Sequence, residues 1–223
     1  MPFIVFEGLD GSGLSTQSFE LKKWLEKKGY EVYLTKEPTD GLIGSLIRGA
    51  LRKELKVDAK TLALLFAADR MLHINNTILN LLDEGVIVIS DRYRLSSYAF
   101  QSLEVDIDWL RKINEKSITP DLTFIIDTPP LICVRRIQKQ RFHIELYEEI
   151  DKLEKIREIY HELAKEESNT FLIDGNKPIK SVSAEIFKKV NDLKILKGLI
   201  TKSTQLSLYM KSQIGEKNGN VIG

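Results

Sequence analysis

Residues 3–16 read FIVFEGLDGSGLST, and this stretch decides the fold. Its opening residues Phe3–Phe6 are apolar and β-prone, as in a strand covered on both faces. Gly8, Gly11 and Gly13 then let the backbone curl, so that successive N–H groups point at one spot. A helical pattern begins at once with Leu14, which sets the positive end of a helix under the turn. Strand, glycine-rich turn and helix match the phosphate-binding frame G-x-x-x-x-G-K-[ST] with one departure. Leu14 stands at the lysine position. The backbone cradle survives this change because it is built of amides, and Ser15 keeps the hydroxyl suited to Mg²⁺. The charge does not survive, and losing one pre-organised contact to a transition state costs about 10²–10³ in rate. The plainer reading of the stretch is an ordinary glycine turn after an edge strand.

The rest of the chain supplies the context such a loop needs. Further β-rich runs lie at Glu31–Thr35, Val86–Ser90, Leu122–Asp127 and Thr170–Asp174, separated by longer helical patterns. Strands alternating with helices imply right-handed crossovers and a parallel sheet with helices above and below. The spacing predicts a helix from Leu14 to Lys28 that turns Phe19, Trp24 and Leu25 inward and stops at Gly29. Asp58 is placed to cap a long helix ending at Gly85, in which Leu62, Leu65, Phe66, Leu72, Ile78, Leu79 and Leu82 keep a helical period. A third long helix is expected over about Leu146–Glu166.

With 223 residues, the chain is long enough for one α/β domain with a small mobile insert. A formal net charge of +1 gives no global attraction to nucleic acid or to an anionic membrane, so phosphate binding has to be local. Cys133, the single cysteine, excludes an intrachain disulfide and reads as a buried helix residue. No apolar run approaches the roughly 18 residues of a membrane span, and the first residues turn acidic too soon for a signal peptide. The expectation is a cytoplasmic protein. His73, His143 and His161 lack metal-ligand spacing.

From Phe3 to about Val190 the chain resembles the thymidylate kinase family, P-loop nucleoside monophosphate kinases, on four blocks of sequence. FEGLDGSGLSTQ (6–17) is similar to the family's FEGxDGxGKSTQ. The resemblance implies that Gly8, Asp10, Gly11, Ser12, Gly13, Leu14, Ser15 and Thr16 form the ATP phosphate site, with Asp10 near the acceptor's 3′-hydroxyl. Gly11 fits the subgroup that carries its catalytic arginines in the lid. Asp10 also reads as a cap on the following turn. In TKEPTDGLIGSLIRGAL (35–51), Lys36 replaces an arginine of the family pattern, and Arg48 matches the arginine that grips the acceptor phosphate.

In LLFAADR (64–70), Phe66 and Arg70 share one helix face. The resemblance implies that Phe66 stacks on thymine and Arg70 donates to a thymine carbonyl. Read without it, Phe66 is a core residue and Arg70 a surface partner of Asp69. VIVISDRYRLSSYAFQ (86–101) carries Asp91 to a position beside the loop, where a carboxylate can hold Mg²⁺ or its waters. By resemblance Arg92 lies between donor and acceptor phosphates, Ser97 and Gln101 meet the base edge, and Phe100 crowds the sugar 2′ position. The segment VRRIQKQRFHIELYEE (134–149) corresponds to a lid, about residues 137–147, bringing Arg136, Lys139 and Arg141 toward the phosphates, and Glu148 matches an acidic residue of the next helix. IDGNKPIKSV (173–182) is similar to the loop bordering adenine.

The implied fold is a three-layer α/β domain over residues 1–200, with a five-stranded parallel sheet and a short lid; residues 201–223 form a C-terminal extension. The implied reaction is phosphoryl transfer from Mg²⁺·ATP to dTMP by a homodimer, with ATP and Mg²⁺ as cofactors. Ser15 and Asp91 are the metal candidates, and Arg92, Asp91, Arg136 and Arg141 the catalytic set. Lys36, Lys139 and a lid arginine are the candidates to replace the missing loop cation. Two other readings stay open: a nucleotide-binding regulator that has lost catalysis, and a kinase for another pyrimidine monophosphate.

Overall fold

The computed structural model describes residues 1–138 and 146–192, together with Leu196. Five strands form one parallel sheet: β1 (Phe3–Gly8), β2 (Val32–Lys36), β3 (Ile87–Asp91), β4 (Leu122–Asp127) and β5 (Thr170–Asp174), in the order β2-β3-β1-β4-β5. Every residue of β1 is buried, as its continuous apolar pattern requires at the centre of a sheet covered on both faces. Alternation along the strand divides the core. Ile4 and Phe6 pack with Leu21 and Leu25 of α1 (Leu14–Lys27) and with Val182, Ile186 and Val190 of α9 (Ile179–Asp192). Phe3 and Val5 face the other layer, meeting Ile74, Ile78 and Tyr93.

That second layer holds α2 (Leu42–Leu51), α3 (Ala59–His73), α4 (Leu79–Asp83), α5 (Arg94–Gln101), α6 (Ile107–Ile113), α7 (Pro130–Gln138) and α8 (Leu146–Glu166). Asp58 caps α3 by accepting from the Thr61 amide at 2.8 Å. A π-helical segment, Ile74–Ile78, joins α3 to α4, and the long helix ends at Gly85 with φ +87°. The inserted residue rotates the following turns. Ile74 and Ile78 stay buried, while Leu72 and Leu79 of the helical pattern face outward.

Two readings need correction. Phe19 is 49% exposed, with the Lys23 ammonium 4.9 Å above its ring; the core side of α1 is made by Leu14, Leu21 and Leu25 instead. Trp24 does turn inward and stacks on Phe187 at 4.7 Å. Strands β2 and β3 also start one residue later than the apolar runs, so they end on Lys36 and Asp91. Cys133 is fully buried. No helix among the described residues is long and apolar enough to cross a membrane. The carboxyl ends of β1, β2 and β3 bring together Gly8, Lys36 and Asp91, where an open parallel sheet forms its binding crevice.

Candidate functional site

The glycine-rich loop takes the conformation its sequence demands. Gly8 and Gly11 have φ of +145° and +79°, and a Cβ there would lie 2.8 Å from the Ile126 carbonyl and 2.6 Å from the Cys133 carbonyl. Helix α1 starts immediately after Gly13. Arg136 holds the loop from behind, donating to the carbonyls of Gly11 (3.3 Å), Ser12 (3.1 Å) and Gly175 (3.0 Å). Leu14 lies against the crevice but brings it no charge. It is only 5% exposed and packs with Ile4, Phe6, Leu21 and Ile126. An apolar side chain at this position is stabilised by burial, so the loop keeps its shape while giving up its charge.

Ser15 Oγ donates to Asp91 Oδ2 at 2.5 Å, although 76 residues separate them. Arg92 follows with φ +73°, a conformation rare for a side-chain-bearing residue and held here by its contacts. Its amide donates to the Phe6 carbonyl at 2.8 Å. Its guanidinium reaches Asp10 Oδ1 at 2.6 Å, the Gly8 carbonyl at 2.9 Å and Ser96 Oγ at 3.0 Å, and lies 5.4 Å from the Phe100 ring centre. Behind it sits Glu7, fully buried, accepting from the Tyr93 amide (2.9 Å), Ser96 Oγ (2.5 Å) and the Tyr160 hydroxyl (3.2 Å). Burial pushes the Glu7 carboxyl up to about 7, against the pull of Ser96 and Arg92.

Two adjoining cavities open at the glycine-rich loop, beside a third of about 780 Å³ bordered by Ser15, Lys36, His73 and Asp91. The first, about 670 Å³, is bordered by the glycine-rich loop, Asp91, Arg136 and Lys177. The second, about 630 Å³, brings together Arg48, Phe66, Arg70, Ser97, Phe100 and Gln101. Asp10, Lys36, Glu37 and Arg92 border both.

Arg70 is 1% exposed and is no surface partner of Asp69. It donates to Glu37 Oε2 (2.9 Å), Asn114 Oδ1 (2.5 Å) and Ser97 Oγ (3.2 Å). Glu37 also meets His73 Nδ1 at 3.1 Å, while the other ring nitrogen of His73 lies 2.8 Å from Thr35 Oγ1. Asp69 instead accepts from the amide and hydroxyl of Thr39, both at 2.7 Å, and Arg48 donates to the Thr39 carbonyl at 2.5 Å. Asp69 thus steadies the turn at Thr39 whose carbonyl accepts from Arg48 of α2. Gln101 Oε1 is buried with no protein partner, so this wall of the cavity holds an unused acceptor.

A family model described as thymidylate kinase matches residues 6–186. The chain belongs to the thymidylate kinase family. Similar proteins include one from Pyrococcus horikoshii named "Probable thymidylate kinase", 40% identical over 190 residues, which are 82% of this chain and 93% of that protein. Another of the same name, from Pyrobaculum aerophilum, is 43% identical over 187 residues, 83% of this chain and 94% of that one. A third, from Thermococcus gammatolerans, is 38% identical over 206 residues, 88% of this chain and 99% of that one.

Against the thymidylate kinase pattern, the structure gathers Asp10, Ser15, Arg48, Phe66, Arg70, Asp91, Arg92, Arg136, Ser97, Phe100 and Gln101 around the paired cavities. Lys139 and Arg141 lie outside the described residues, as do the side chain of Glu148 and the extension 201–223. Sequence reasoning passed over Glu7, Glu37 and Tyr160. A carboxylate inside an apolar strand (Glu7) was the available signal, because a charge buried there needs partners supplied by other elements.

Proposed function

We propose that this protein transfers the γ-phosphoryl group of Mg²⁺·ATP to dTMP, giving dTDP and ADP. The observation that carries this reading is the junction of the two cavities at Asp10, Lys36, Glu37 and Arg92. A donor phosphate in the first and an acceptor phosphate in the second would meet there. An oxygen of the dTMP phosphate attacks the γ-phosphorus while the bond to the β–γ bridging oxygen breaks, and ADP leaves with that electron pair. The protein has to align the two and offset the charge spread over the transferring group.

The loop amides and the N-terminus of α1 would cradle the donor phosphates. Arg92 would bridge both phosphates, exchanging Asp10 for phosphate oxygen. Arg48 would hold the acceptor phosphate, for which its planar fork is suited. Phe66 would stack on the base, with Arg70, Ser97 and Gln101 along the base edge and Phe100 against the sugar. Arg136 would join the reaction by exchanging its loop carbonyls for phosphate, and Arg141 would arrive with the lid, about residues 137–147. The Ser15 hydroxyl and Asp91 carboxylate are hard oxygen donors on adjacent elements, a set that fits Mg²⁺ retaining waters and phosphate oxygens. When bound, the ion would offset negative charge on the donor phosphates.

Residues 1–200 would act as one domain, with 201–223 as an extension, working in the cytoplasm as a homodimer. Outward-facing Leu64, Leu72 and Leu79 on the α3–α4 face support the pairing. A coupled assay over dTMP, dUMP, dCMP and dGMP tests the reaction, with Asp91→Ala as control. Turnover of dTMP well above that control is expected. Turnover equal to it would favour a silent nucleotide-binding regulator, the reading that buried Leu14 supports. A better acceptor than dTMP would move the assignment to another monophosphate.

A further inference from the structure

Leu14 is packed into the core and offers the transferring phosphoryl group no charge, so a cation in place of the loop lysine has to come from another position. Four cations among the described residues border the first cavity: Lys36, Arg92, Arg136 and Lys177. Arg92 and Arg136 are each tied by several hydrogen bonds to the loop or its neighbours. Lys177 stands between Asp174 (3.8 Å) and Glu185 (3.3 Å) on the loop after β5, and does not border the second cavity.

Lys36 differs on each count. It closes β2 in register with Asp91, whose carboxylate meets Ser15 of the glycine-rich loop. It borders both cavities, which puts it at their junction. Its ion partner is Asp40 at 3.2 Å; the two side chains are 59% and 79% exposed, so solvent and salt weaken the pair and it exchanges readily. The adjacent carboxylate, Glu37, is engaged by Arg70 and His73. A lysine on a flexible stem acts as a mobile point charge, which suits a group shared between two phosphates.

We propose that Lys36 supplies the cation missing from position 14, reaching the transferring phosphoryl group from the end of β2 rather than from the glycine-rich loop. The inference rests on the phosphoryl-transfer reading above. In this role Lys36 transfers no proton; it offsets charge that grows as the β–γ bond breaks.

Steady-state kinetics of the full chain test this with wild type, Lys36→Ala, Lys36→Arg, Arg141→Ala and the double variant Lys36→Ala/Leu14→Lys. Lys36→Ala is expected to lower kcat by about 10²-fold with little change in KM for dTMP, at an unchanged melting temperature. Lys36→Arg is expected to keep most of the activity, and Leu14→Lys to recover at least about tenfold of the Lys36→Ala loss. Lys36→Ala within about threefold of an active wild type, with the loss appearing in Arg141→Ala, overturns the assignment. So does a Lys36→Ala loss that neither arginine nor Leu14→Lys repairs, since that marks a structural role. A wild type no faster than Asp91→Ala removes the reaction itself, and this inference with it.

Discussion

Ser15 and Asp91 share a 2.5 Å hydrogen bond between the first turn of α1 and the last residue of β3. The contact fixes the loop's hydroxyl beside a carboxylate, and β2 adds Lys36 in register with the same aspartate. On the proposed function, removing Asp91 would take away a donor to Mg²⁺ and leave the local cations uncompensated. Asp91→Asn is expected to lower kcat by about 10²-fold or more and to raise the Mg²⁺ needed for half-maximal rate. A Mg²⁺ titration of turnover at saturating ATP checks it.

Glu7 makes stability depend on pH. Its folded pKa is raised from 4.5 to about 7, so the unfolded chain releases this proton first as pH rises. The stability it contributes is fully present below about 4.5 and is lost as pH rises through about 7, a change of about 3 kcal/mol. Urea denaturation of wild type and Glu7→Gln between pH 4.5 and 8 is expected to show the difference between them closing or reversing as pH rises.

Arg70 and Glu37 are both almost wholly buried, with a contact of 2.9 Å. Arg70→Ala would leave Glu37 without its guanidinium partner, with the His73 ring 3.1 Å away, and is expected to destabilise the fold by about 3–5 kcal/mol. Adding Glu37→Ala should cost less than the sum of the two single changes. A double-mutant cycle in guanidinium chloride measures that coupling.

Gln101 presents a buried acceptor that no protein donor uses. Gln101→Leu is expected to leave thermal stability equal or slightly higher, because an unsatisfied polar group is removed. The same change should raise KM for dTMP relative to the other monophosphates, by about 1–3 kcal/mol of lost discrimination. Melting curves together with kcat/KM ratios across the four monophosphates separate the two effects.

Much of the architecture was legible in local pattern. Runs such as VIVI report strands covered on both faces; Gly8 and Gly11 report a backbone with no room for a side chain beside neighbouring carbonyls, and Gly13 a positive φ of +112°. Phe19 misled because one apolar residue at helical spacing does not say which face is buried; Lys23 lies over its ring in solvent instead. The π-helical segment at Ile74–Ile78 precedes Leu79, which faces outward, and a fixed period of 3.6 does not foresee such an offset; Leu72, before that segment, faces outward on the regular helix.

By itself, then, the sequence determined the order of strands and helices, the glycine-rich loop, and the absence of a cation at position 14. Those properties reside in local backbone conformation and in residue identity. Tertiary structure alone decided that Leu14 turns into the core, that Arg70 pairs with Glu37 rather than Asp69, and that Lys36 stands beside Asp91 at the junction of two cavities. Each is a choice of partner across tens of residues. Such choices are settled by strand register and by the cost of leaving a buried charge unpaired, which appear only once the elements have packed.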